Sequence, residues 1–520
     1  MPLDGTSPVN KPASFSAPGD IFVGKDVLEL VSSAMYVDPL TIFREYVQNA
    51  ADAIDEAKEK GLLGPRTYGR VDITLDVVDR RAIIRDNGAG VPNSKFARQL
   101  TSLGGSKKRG TSARGFRGIG RLAALGYCQE LIFRSRAQGD QSVCELRWNG
   151  RIFKKLLQDH SYEGSVRDLI QEVATITKVT GDGWPDHFFE VEMVKPIRIR
   201  NDLLLNGDAI ACYLAQTACV PFAPDFKFGK KITEYLKRHL ELGEIKIFIN
   251  GGDEPIYRPY RDTYAYGDDK YDAFLEAELA TIADPNGKIA AVVWLLHHGY
   301  HGSIPSSEGV AGLRARKGNI QVGETRIFAE IFPEPRFATW TVGEVHIVDE
   351  RVIPNGRRDE FEQTPNYGHL KTQLTTIGDK IARLCRQSSI ARNRLKSFEI
   401  GASRVQEQLS ILEQGAVAKK AASSLIKDIR GELHEIKRVV DGSVINDDNR
   451  AALIEKHAAL EKRLNAVQRA DPETSSSLSN LPARDRVVVQ RMIDLIYECS
   501  ANRVAAKVLV DRILARLGTE

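Results

Sequence analysis

Three short segments, met in a fixed order within the first 125 residues, constrain this chain more than anything in its composition. The first, residues 43–57, reads FREYVQNAADAIDEA. Phe43, Tyr46, Val47, Ala50 and Ile54 recur at helical spacing and form one apolar stripe, which predicts a helix over residues 38–57. Asp38 is placed to cap it and Pro39 to open its first turn. Glu45, Asn49 and Asp52 fall at i, i+4 and i+7 and share a neighbouring face. A carboxylate and a carboxamide one turn apart suit work at a phosphate. The amide oxygen is a hard ligand for Mg²⁺, and the carboxylate can polarise a water. Taken alone, three polar residues on a helix more often make a solvated face.

The second segment, residues 82–92, reads AIIRDNGAGVP and closes a β-rich run. Asp-Asn-Gly at a strand end is commonly a hairpin turn. It also suits purine recognition, because an acceptor-only carboxylate at Asp86 matches the adenine amino donor. Gly88 and Gly90 then let the backbone approach the base without a Cβ. The third segment, residues 115–125, reads GFRGIGRLAAL. Gly115, Gly118 and Gly120 open an expected apolar helix, a geometry that aims unpaired backbone N–H groups and the positive helix end at a phosphate. A dinucleotide fingerprint has similar spacing, but it directly follows a first strand and wants an acidic residue about twenty positions on. Residues 100–114 instead form a Gly-, Ser- and Lys-rich lid, whose Lys107 can face phosphates.

The order of the three is the informative part. Asn49 to Asp86 is 37 residues and Asp86 to Gly115 is 29. In this order the motifs resemble the GHKL superfamily: gyrase-type topoisomerases, MutL mismatch-repair proteins, histidine kinases, MORC proteins and the ninety-kilodalton heat-shock chaperone. The resemblance implies a Bergerat fold, an α/β sandwich holding ATP and Mg²⁺. It makes Glu45 the general base and Asn49 the Mg²⁺ ligand, with Asp52 beside them. Asp86 binds adenine, Gly88 and Gly90 line the base, and Gly115, Gly118 and Gly120 hold phosphates. Histidine kinases usually lack a base at the Glu45 position, so the glutamate favours the hydrolysing branches. The sequence departs from the family in one respect: no Gly-Thr pair leads into the late strand near Phe188 and Phe189.

The expected organisation is a flexible tail over 1–20, the ATP-binding domain over 21–199, an α/β transducer-like middle domain over 200–368 and an all-α region over 369–520. Two middle-domain stretches offer a cation to a γ-phosphate. Residues 312–323 (GLRARKGNIQVG) carry Arg314, Arg316 and Lys317 in an expected loop. Residues 352–362 (VIPNGRRDEFE) are similar to the chaperone's middle-domain loop, which aligns Asn355, Arg358 and Asp359 and makes Arg358 the sensor.

Composition narrows the rest. No apolar run approaches eighteen residues, and six cysteines without paired spacing fit thiols in a reducing cytoplasm. Residues 369–520 carry 26 Lys and Arg against 19 Asp and Glu, within a chain whose net charge is only +4. Leu453, His457, Leu460, Leu464 and Val467 suit a short coiled coil or a bundle interior equally. After Pro482, Val488, Met492, Leu495, Ile496 and Val504 mark an apolar helix face. The expected mechanism is an ATP-gated homodimeric clamp, chaperone-like or signalling towards a protein client. A MORC- or MutL-like clamp on DNA and a nucleotide-sensing scaffold of a two-protein system are the alternatives.

Overall fold

The computed structural model describes residues 24–25, 38–102, 114, 120–181, 183–267, 269–441, 447–469, 478 and 481–517. The expected tail over 1–20 lies outside these. The chain forms two compact units, Met1–Ala382 and Arg383–Glu520.

In the first unit, helix α1 (Thr41–Glu59) is followed by strands β1 (Arg70–Asp76) and β2 (Arg81–Asp86) and helix α2 (Asn93–Thr101). Next come β3 (Glu130–Arg136), β4 (Val143–Asn149), α3 (Gly150–Gln158), α4 (Val166–Val173), β5 (Ala174–Val179), β6 (Phe188–Val194), α5 (Gly207–Thr217), α6 (Gly229–Lys237) and β7 (Lys246–Ile249). The seven strands make one sheet in the order β5-β4-β3-β6-β2-β1-β7. All its pairings are antiparallel except β1 with β7. Thus a strand well beyond residue 200 completes the first sheet.

Strict alternation gives this sheet two unlike faces. Val71, Ile73, Leu75, Ala82, Ile84, Leu131, Phe133, Leu146, Trp148, Val191 and Met193 point into a core shared with α1, α3, α4 and α5. The intervening residues lay an ion ladder on the other face. Arg134 pairs with Glu145, Glu190 and Glu192 at 2.7–2.8 Å, while Arg85 and Arg81 reach Glu190 and Glu192. The result is the α/β sandwich of a Bergerat-type domain, with helices over the apolar face.

The predicted cap of α1 needs correcting. Asp38 sits two residues early: its Oδ1 accepts from the Leu40 N–H at 3.0 Å, and Leu40 occupies the cap position without a side-chain bond. The helix therefore begins after Pro39.

Beyond β7 lie a two-stranded ribbon, β8 (Thr263–Gly267) and β9 (Lys270–Ala273), and a five-stranded sheet. The latter comprises β10 (Glu276–Ala283), β11 (Ile289–His297), β12 (Gly312–Lys317), β13 (Ile320–Val322) and β14 (Val342–Ile347), in the order β10-β11-β14-β12-β13. The expected basic loop at 312–323 is in fact this β12–β13 hairpin. Arg314 and Arg316 are buried within it. Arg316 binds Glu344 through Nε at 2.5 Å and the Gln216 and Ala218 carbonyls at the end of α5. Arg314 binds Gln216, Gln321 and the Gly309 carbonyl. Both guanidiniums are committed to packing, and Lys317 Nζ donates to the Asp349 carbonyl at 2.8 Å, so the three cations of this stretch are held within the protein.

Helix α7 (Pro365–Glu413) runs past the unit boundary, and the rest is helical: α8 (Lys419–Val440), α9 (Asp447–Arg469), α10 (Ala483–Cys499) and α11 (Arg503–Leu517). Leu453, Leu460 and Leu464 enter a core with Val405, Leu409, Ile429 and Leu433, and His457 Nε2 meets the Leu433 carbonyl at 3.0 Å. The heptad-like run is thus a bundle interior. The face marked after Pro482 is largely wrong: Val488, Met492, Leu495 and Val504 are exposed, and Ile493 and Val510 fill the core instead. Among the described residues, no helix is long and apolar enough to cross a membrane.

Candidate active site

Helix α1 brings the first group of predicted residues together and buries most of it. Its apolar stripe faces the core, which turns Glu45, Asn49 and Asp52 along the flank; Glu45 and Asp52 are buried and Asn49 is half-buried. This is no solvated face. Arg44 Nη2 lies 3.3 Å from Glu45 Oε1 and also reaches the Arg357 carbonyl at 3.4 Å. The Asn49 carboxamide makes no hydrogen bond with the described residues. Asp52 is engaged within the protein, accepting the Arg114 N–H at 2.9 Å.

Strand β2 ends at Asp86, which is buried. Its Oδ1 accepts from the Gly88 N–H at 2.8 Å. Burial pushes the carboxyl up to about 7, against the opposing pull of the Gly88 and Phe189 backbone N–H groups. The loop that follows is cinched to three elements. Ala89 N–H donates to the Ala53 carbonyl at 3.0 Å, and Val91 N–H to Ser135 Oγ at 2.8 Å. Ser135 in turn donates to the Phe188 carbonyl at 2.8 Å.

The glycines here answer to these close approaches. A Cβ on Gly88 would sit 2.6 Å from that of Ala53 on α1. Gly90 has φ +67, and a Cβ there would run into the Arg136 carbonyl. The expectation tied both glycines to the base; the packing shows that α1 and β3 already demand them.

Of the third motif, Gly115 and Gly118 lie outside the described residues, as does Lys107 of the expected lid. Gly120 is described, and it touches the first motif: a Cβ on it would clash with Glu45 Oε2. Gly120→Ala must therefore displace the Glu45 carboxylate. We expect ATP turnover to fall by about 10²-fold with the fold retained, read by phosphate release beside a circular dichroism melt.

Arg358 stands at φ +57 in a turn where Asn355 Nδ2 donates to Asp359 Oδ1 at 2.6 Å. It is buried, and its Nη2 donates to the carbonyl of Arg114, the residue preceding Gly115. The second unpredicted contributor besides Arg114 is His187, just before β6. Its Nδ1 lies 2.7 Å from the Gly88 carbonyl, which can only accept, so this nitrogen carries the proton. A polar residue directly preceding a strand that faces Asp86 was the available signal. His187 stands close to where the family's Gly-Thr pair was sought.

These residues fit a nucleotide with its metal: a buried acceptor beside a tight glycine loop, and an uncommitted carboxamide one turn from a buried carboxylate. Residues 40–174 match the family of histidine kinase-, DNA gyrase B- and HSP90-like ATPases. The first unit thus holds a GHKL-type ATPase domain, resembling that of the ninety-kilodalton heat-shock chaperone. Among individual relatives, chaperone protein HtpG of Rhizobium meliloti (strain 1021) is 25% identical over 172 residues, covering 30% of this chain and 26% of that one. HtpG of Enterobacter sp. (strain 638) and of Citrobacter koseri are each 26% identical over 141 residues, covering 24% of this chain and 23% of theirs. The chain spans about a quarter of the length of the curated relatives it matches.

Proposed function

We propose that this chain binds Mg-ATP between α1, the 86–91 loop and the 115–120 glycine segment, and hydrolyses it. The observation that carries the reading is the close approach of Glu45 to Gly120, with Asp86 standing separately at the end of β2. It brings residues from the first and third motifs into one place. Asp86 accepts the adenine amino group. Asn49 supplies a hard oxygen to Mg²⁺, whose charge offsets that of the phosphates. Glu45, buried and held by Arg44, orients and deprotonates the attacking water. Arg358 lies against the backbone leading into Gly115 and is the cation for charge developing at the γ-phosphate.

The similarity to HtpG favours a chaperone-like ATPase acting on a protein client, with ATP binding closing a homodimeric clamp. Arg358→Ala tests the catalytic arm. We expect kcat to fall by about 10–10³-fold with the Kd for ATP changed less than about threefold. Turnover and nucleotide-dependent mass equal to wild type would remove Arg358 from the mechanism.

A further inference from the structure

Arg114 is held near the site by several elements at once, and nothing in its local sequence announces it. Its N–H and guanidinium both reach Asp52, and Nη1 binds Asp55 Oδ2 at 2.7 Å, so two acids of α1 hold it. Nε donates to the Gly318 carbonyl at 2.8 Å, in the β12–β13 turn of the second sheet. Nη2 reaches the Gly243 carbonyl at 3.3 Å, ahead of β7. Its own carbonyl accepts from Arg358. The two glycines have φ +58 and +51, and a Cβ on Gly318 would come 2.9 Å from Arg114 Cγ, so these turns are shaped around the arginine.

We infer that Arg114 is a positioning residue, which fixes the backbone at residue 114, immediately ahead of the third motif, against α1 and couples it to the β12–β13 turn of the second sheet. The inference rests on the proposed ATPase reading. Its physical basis is the rigid guanidinium fork, which offers five donors in one plane and here serves three separate elements. Lysine keeps the charge but cannot hold those directions at once. A shift of the backbone at residue 114 works against these bonds, because Asp55, Gly243 and Gly318 hold the one guanidinium together.

The test uses the full chain as wild type, Arg114→Lys, Arg114→Ala and Asp55→Asn, the last removing one partly exposed arm. ATP affinity comes from calorimetry, kcat from phosphate release, and hydrogen exchange over residues 312–323 is followed with and without a non-hydrolysable ATP analogue. We expect both Arg114 variants to lose about 10–10²-fold in kcat with Kd nearly unchanged, and Asp55→Asn to lose less. The analogue should slow exchange over 312–323 in wild type and leave it unaltered in the Arg114 variants. Should Arg114→Ala not fold, Arg114→Lys and Asp55→Asn carry the same comparison. Wild-type kcat in the folded variants, or analogue binding to wild type with no change over 312–323, overturns the inference alone. No ATP binding by wild type overturns the functional reading and this inference with it.

Discussion

Glu45→Ala is expected to bind ATP and fail to turn it over, losing about 10²–10⁴-fold in kcat. The carboxylate is buried on α1 between Arg44 and the close approach of Gly120. On this reading Glu45 is the acceptor for the attacking water, and an alanine removes it. Affinity should hold, because Asp86 and the 86–91 loop lie elsewhere on the site. The variant should then accumulate in its ATP-bound form, seen by light scattering as a persistent dimer. Turnover within about threefold of wild type would remove the base assignment and leave a nucleotide-gated scaffold.

Asp86→Asn should weaken ATP by about 100-fold, or ~2.7 kcal/mol. The change is nearly isosteric, so β2 and the Gly88 contact can persist. What changes is donor chemistry: one carboxylate oxygen already takes the Gly88 N–H at 2.8 Å. With the amide oxygen held there, the amide NH₂ faces the adenine amino group, donor against donor. pH gives an independent handle on the same residue. Burial raises the carboxyl to about 7, so it is substantially protonated in the empty site just below neutrality. The ionised form is the better acceptor, so ATP affinity should rise with pH through about 7, and the variant should lose that dependence. The stability sign is opposite: the neutral form suits the buried site, so this group's contribution is fullest below the ordinary carboxyl pKa and fades as pH rises through about 7.

Much of the first sheet could be read from alternation. The apolar stripe of α1 and the β6 bounds at Phe188 and Val194 follow from local pattern, as does Asp86 at a strand end. The misreadings share a cause, which is that distant partners decide. The four residues of β7 carry no mark of which sheet they join, and pairing to β1 settles it. GLRARK reads as a basic loop until Glu344, some thirty residues on, and the α5 carbonyls make room for its arginines in a core. Within the candidate site, residue types and spacing singled out Glu45 and Gly120, which the fold brings close together, and Asp86, which ends β2. Arg114 was hidden because its partners, Asp55, Gly243 and Gly318, come from three parts of the chain. The exposed apolar residues of α10 and α11 show the same limit: helical period marks a face, and tertiary packing chooses which face is covered.

The most direct test is calorimetric titration of ATP with Mg²⁺ into the full chain, wild type beside Asp86→Asn. The account predicts saturable binding at one site per chain in wild type, competed by ADP, and about 100-fold weaker binding in the variant. No binding by wild type, or equal binding by both, would contradict it.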